Sequence, residues 1–410
     1  MFKPVGLVVS FILVSWSCRA QAAPDALSIS GVVALARSAH PLVKEREAAL
    51  RAAHVLKEQA GRRPVPELDV EVGHKKAGDD GYEVGIALGF PVERAEKRTA
   101  RLGVAESDVQ IARASLAQER GDVELQARIG CYEYLAASAD AEAAREIAGR
   151  SHAMVALLKQ RPAAGPGILL ELRVIEAGLI ALEKSALESE ALRDSARINV
   201  NALLGRPLTN ALVLTDTLAA PTGAVDFAAL AEAVERDPSI VKKMAEVRRT
   251  VSEVALSAQE ARPDYRVGPY YSREDAGDVE SVFGVAISIP LARRGSYRGA
   301  IVERYEAAKA AWTAERMNRL SEIARMQRLY ELAIRQANEI SEAQVETLRD
   351  AAALADRQYR IGAIPVSLFL EMQREFLAVQ QLRHEVLLNA LTKEAELNRV
   401  LGEVGLEGDS

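Results

Sequence analysis

Apolar and polar residues alternate along two stretches of the chain and follow a three-and-four spacing almost everywhere else. In the first stretch Leu68, Val70 and Val72 oppose Glu67, Asp69 and Glu71. After a polar loop, Lys75 to Gly81, the residues Tyr82, Val84, Ile86, Leu88 and Phe90 oppose Glu83, Gly85, Ala87 and Gly89. A period of two predicts a β-hairpin with large apolar groups on one face and small or charged groups on the other. The second stretch repeats it. Tyr265, Val267 and Tyr271 oppose Arg266, Gly268 and Tyr270; Phe283, Val285, Ile287 and Ile289 oppose Gly284, Ala286 and Ser288; the loop is expected at Arg273 to Glu280.

The helical spacing predicts elements of unusual length. A first helix is expected from Ser30 to Ala60, ended by Pro64-Val65-Pro66. Neither Gly nor Pro occurs from Ala300 to Ile361, and Ile301, Tyr305, Ala308 and Trp312 mark an apolar or small stripe. A continuous helix of that length would reach roughly 90 Å. Its counterpart, Val92 to Lys159, is proline-free. Such helices cannot bury themselves in one globular core and need lateral neighbours. Turns at Gln160 to Gly167 and Arg360 to Pro365 lead to returning helices at Ile168 to Leu204 and Val366 to Leu401, and Arg206 to Val225 links the two units.

The chain therefore carries one plan twice. His40-Pro41 recurs as Asp237-Pro238, and Asn201-Ala-Leu-Leu-Gly205 as Asn398-Arg-Val-Leu-Gly402. Each unit is a helix, a hairpin and a long antiparallel helix pair. Neither hairpin can close a sheet alone, so the expectation is an incomplete barrel finished by other copies. Outward apolar and inward polar alternation in strands of this length suits a bilayer. An amphipathic hairpin can equally form one layer of a soluble sheet; an export signal, the duplication and the long helices favour the barrel.

That export signal is Lys3 followed by the apolar run Val5 to Val14 and an Ala20-Gln21-Ala22 cleavage site. Residues 1–22 are expected to be a signal peptide, 23–222 a first repeat and 223–410 a second. Cys18 offers a rival, a lipidated cysteine, although Ser15-Trp16-Ser17 is a poor lipoprotein box. Only Cys131 then remains in the mature body, which excludes an intrachain disulfide. A net charge of −6 argues against nucleic acid. The five histidines, His40, His54, His74, His152 and His384, have no metal-ligand spacing. No nucleophile elbow, phosphate loop or dinucleotide fingerprint is present. Neither an enzyme nor a resident cofactor is expected.

Three segments resemble the TolC-like outer-membrane efflux proteins. They are Tyr359-Arg-Ile-Gly362-Ala-Ile-Pro365 with Glu371 and Gln373, Asn201-Ala-Leu-Leu-Gly-Arg-Pro207, and Gly85-Ile-Ala-Leu-Gly-Phe-Pro91 followed by Glu96-Lys97-Arg98 and Arg101. The last looks most like the cobalt–zinc–cadmium branch, with Ala95-Glu96 where that branch has Gly-Gly. The resemblance implies a homotrimer with a twelve-stranded barrel in outer-membrane lipid and an α-helical tunnel in the periplasm. It implies a periplasmic adaptor and an inner-membrane transporter of the RND type as partners, and heavy-metal cations as cargo. A duct for organic compounds or a secreted protein is the alternative within the family, and a structural periplasmic coiled-coil protein the alternative outside it. The family's gate implies roles for Glu171, Tyr359, Gly362, Leu368 and Glu371, with Tyr359 and Glu171 as a closing link. Leu368 sits where many relatives have a second acid and Ile364 where some have an arginine, so apolar packing is expected to help hold the gate shut. The strands imply a lipid-facing set, Val84, Ile86, Leu88, Phe283, Val285 and Ile287.

Overall fold

A computed structural model describes residues 26–75, 81–160, 166–221, 227–262, 264–276, 278–289 and 298–402. The expected signal peptide and Cys18 lie outside these residues, as does most of the first hairpin's loop.

The first unit begins with a short strand β1 (Ala26–Leu27) and helices α1 (Ile29–Ala39) and α2 (Pro41–Ala60). The single helix expected over Ser30–Ala60 is thus two. Pro41 forces His40 into extended backbone, φ −61°, ψ 130°, and serves as the first residue of α2. The second unit breaks at the corresponding point, where Asp237-Pro238 separates α5 (Phe227–Val234) from α6 (Pro238–Glu260). Strands β2 (Glu67–Lys75) and β3 (Gly81–Val92) form the first hairpin, and β5 (Tyr265–Ala276) and β6 (Asp278–Ser288) the second. The loop expected at Arg273 to Glu280 is corrected: both strands run through those charged residues and leave only position 277 between them.

The hairpins join as one antiparallel sheet in the order β2-β3-β5-β6. Pairing between β3 and β5 is interrupted at Gly268-Pro269, where Pro269 has no N–H to donate. A Cβ at Gly268 would lie 1.6 Å from the Leu88 carbonyl oxygen, so only glycine fits there. Among the described residues, strands β2 and β6 each keep one edge without a strand partner.

Helix α3 (Ala95–Gln160) extends for about 100 Å and returns as α4 (Pro166–Leu203). A short strand β4 (Val213–Leu214) in the linker pairs in parallel with β1, an element the sequence did not announce. The expected long helix of the second unit is also two, α7 (Arg298–Glu339) and α8 (Glu342–Arg360). Ser341 caps α8 through a reciprocal box with Gln344. The Arg383 guanidinium donates to the Ile340 carbonyl at 2.9 Å, satisfying a group that the break releases. Helix α9 (Val366–Gly402) completes the pair.

Two matching cores hold the body. One gathers Val33, Val43, Val123, Cys131 and Val200 from α1 to α4; the other gathers Leu230, Ile240, Ile323, Tyr330 and Leu397 from α5, α6, α7 and α9. The helix pairs beyond them pack through separate clusters toward their turns.

Candidate functional site

Two regions hold the candidate residues: the turn ends of the helix pairs and the sheet. At the turns, Gly362 takes φ +77° and closes α8, its N–H donating to the Tyr359 carbonyl while that of Ala363 donates to Gln358. Only glycine adopts this conformation without strain. The chain reverses sharply and lays the start of α9 on α8. Tyr359 is buried and its ring stacks on Phe369 with centroids 5.4 Å apart. Around them pack Met154 and Leu158 of α3, Ile175 and Leu179 of α4, and Leu370 of α9. Gly178 lets α4 approach closely, since a Cβ there would lie 2.8 Å from the Leu370 methyls. One apolar cluster therefore unites both helix pairs at their tips.

The charged candidates sit on the outside of this cluster. Glu171 and Glu371 are exposed, and Leu368 is 40% exposed. Leu172 and Ile175, on the same helix as Glu171, pack in the cluster that holds Tyr359. Ile364 packs against the cluster. Lys159 and Glu176 tie α3 to α4 at 3.1 Å. The Lys159 ammonium, with Arg173 beside it, holds the Glu176 carboxyl below its usual range.

In the sheet, register carries the alternation through all four strands. Val84, Ile86, Phe283, Val285 and Ile287 are exposed on one face, Phe283 by 81% and Val285 by 70%. Leu88 is half-buried beside the Gly268-Pro269 interruption. The opposite face holds small residues and acids together with Tyr270 and Val282. Glu83 lies opposite Glu274, which lies opposite Glu280, and β2 adds Glu67, Asp69 and Glu71. Carboxylates directly opposite one another repel, so this row does not serve sheet stability. Among the described side chains Arg266, paired with Glu67, is the one cation of that face.

The strand–helix junction is held by Arg101, whose place in the sequence pattern gave no hint of its contacts. Its guanidinium donates to the Ala60 carbonyl at 2.8 Å, the Arg62 carbonyl at 2.9 Å and the Glu93 carboxylate at 2.5 Å. Lys97 pairs with Asp264 beside it. The sheet is thereby fixed to the helical body.

Two hairpins joined in one sheet with an exposed apolar face are set on long helix pairs that meet at an apolar tip. The sequence pattern described as Outer membrane efflux protein matches residues 32–206 and again 229–403. The chain belongs to that family. Cobalt-zinc-cadmium resistance protein CzcC of Cupriavidus metallidurans is 28% identical over 239 residues, 57% of this chain. The chain spans about half, 56%, of the length of that relative. The fold is shared with a membrane protein from Pseudomonas aeruginosa (TM-score 0.72, 15% identity, 91% of this chain and 90% of that one) and with CusC (0.71, 12%, 94% and 95%). The open state of the MtrE outer membrane channel of Neisseria gonorrhoeae is similar too (0.71, 12%, 91% and 88%). Among the described residues no helix is long and apolar enough to cross a membrane.

Proposed function

We propose that this protein is the exit duct of a tripartite pump that expels heavy-metal cations. The observation that carries the cargo is the acidic inner face of the sheet: Glu67, Asp69, Glu71, Glu83, Glu274 and Glu280 against one described cation, Arg266. In a trimer that face would line the barrel three times over, and rings of carboxylates favour cations. The likeness to CzcC supports the same cargo. Four strands with two unpaired edges need other copies for closure in lipid, which supports a trimer of twelve strands. Units 23–222 and 223–410 would each supply one hairpin and one helix pair, after removal of residues 1–22. A periplasmic adaptor and an inner-membrane RND transporter would complete the path.

The gate would lie at the helix tips. Tyr359, Gly362 and the apolar cluster set the tip's shape. Glu171, Leu368 and Glu371, exposed in the single chain, would meet the lumen or a neighbouring copy. The test is export by cells lacking the duct but carrying its adaptor and transporter. Restoring the chain should lower cell-associated cobalt, zinc or cadmium without changing retention of an organic dye. Dye export with unchanged metal content would instead favour a duct for organic compounds.

A further inference from the structure

Set out by register, the apolar face of the sheet is a ladder of cross-strand rows running outward from the helical body. The row nearest the body holds Val92 opposite Tyr265, and the row nearest the hairpin tips holds His74, Tyr82 and Asp275. At two residues per row and a typical barrel tilt, rows are spaced by about 5 Å, which puts these two aromatic rows about 26 Å apart. That is the height of the apolar band in an outer-membrane barrel, with aromatics at both interfaces. The rows between carry no charge except one. Arg273 stands in the row just inside Tyr82, between Val84 and Ser281.

Arg273 is exposed and has no hydrogen bond or ion pair among those of the described residues. Ser281 lies in contact with the Tyr271 hydroxyl instead, at 3.4 Å. An arginine at the bilayer midplane is costly, whereas one about 5 Å inside the interface can extend its guanidinium outward along its apolar stem. There it reaches the level of lipid phosphates. Its planar fork matches a phosphate with two parallel hydrogen bonds. The hairpin tips point away from the helical body, so with the body in the periplasm this level belongs to the outer leaflet.

We propose that Arg273 is a docking point for the phosphate of an outer-leaflet lipid, with the acyl chains lying on the apolar rows beneath it. This rests on the hairpins being lipid-facing strands of an outer-membrane barrel. A membrane lipid fits better than free phosphate because the flanking residues, Val72 and Val84, are apolar. Asp275, one row further out on the same face, is the competing partner.

The test uses the intact trimer in mild detergent, incubated with bisphosphorylated lipid A or with the same lipid stripped of both phosphates. Retained lipid is counted by native mass spectrometry. The wild type should prefer the phosphorylated form by about fivefold per site, the ratio expected for one interfacial cation. Arg273→Leu and Arg273→Gln should both lose that preference while still inserting into vesicles and conducting. Unchanged preference in both variants overturns the proposal. Equal loss of both lipids also overturns it and points to an ion pair with Asp275. A wild-type trimer that fails to enter vesicles overturns the barrel itself, and this site with it.

Discussion

Asp237 is the residue whose removal the structure prices most clearly. It is 3% exposed and serves two partners. One carboxylate oxygen accepts from the Ser239 N–H at 2.8 Å, capping α6. The other accepts from Arg319 of α7 twice, at 2.8 and 2.7 Å. Asp237→Ala removes a cap worth about 1 kcal/mol and strands a largely buried guanidinium. Loss of one partner from a buried pair costs about 3–5 kcal/mol. Arg319 keeps Glu322 at 2.8 Å, which places the total at the lower end, about 3–4 kcal/mol. Asp237→Asn preserves the cap, because Asn caps as well as Asp, and should cost about 1 kcal/mol less. Arg319→Met added to Asp237→Ala should return most of the loss, leaving about the cap term alone. The assay is urea unfolding of the purified protein followed by helical circular dichroism, comparing midpoints at constant m. A double variant as unstable as the sum of the two singles would refute the coupling and show that the Arg319 contact is not what holds α6 to α7.

Further outcomes follow from other parts of the chain. Ile86→Arg or Val285→Arg should cost about 2–4 kcal/mol near the bilayer midplane and reduce heat-modifiable trimers in outer-membrane fractions; normal yield of both would count against lipid contact. Glu371→Gln should lower cation selectivity, read as reversal potential across a salt gradient, with trimer stability unchanged; coincident potentials would place Glu371 away from the lumen. Burial, with a smaller contribution from Asp216, pushes the Cys131 thiol up from 9.0 to about 12. The folded chain then keeps a proton that the unfolded chain releases above about pH 9. Stability from this group is full below that pH and falls through the window up to about 12, by at most about 1.4 kcal/mol per pH unit. Cys131→Ala should flatten that slope in unfolding midpoints measured from pH 8 to 11.

The hairpins were legible in the sequence because period two, carried by Val, Ile and Tyr, has no other use in a chain otherwise spaced by three and four. Their tips were not. Arg273, Glu274 and Asp275 look like a loop by polarity, yet the β5–β6 ladder pairs them with Ser281, Glu280 and Val279 and continues to Ala276. The break at Ile340 was hidden for a different reason. Nothing there interrupts helical spacing, and only Ser341 with Gln344 three residues on marks a new start. His40-Pro41 marked a boundary in plain view, but its role as a corner depends on helix packing. At the helix tips, Gly362 announced its turn by type. The burial of Tyr359 against Phe369 and the exposure of Glu171 depend on four helices converging. Whatever further copies of the chain would build together is written in no single chain.

The central claim is that the two hairpins are one wall of a lipid-embedded barrel. It is tested most directly by single cysteines placed in turn at positions 281 to 287, in a background with Cys18 and Cys131 replaced, spin-labelled in reconstituted vesicles. Labels at 283, 285 and 287 should be relaxed by oxygen dissolved in the bilayer. Labels at 282, 284 and 286 should be relaxed by a water-soluble nickel chelate. Uniform access of the nickel chelate to every position, with no alternation, would contradict a barrel in lipid.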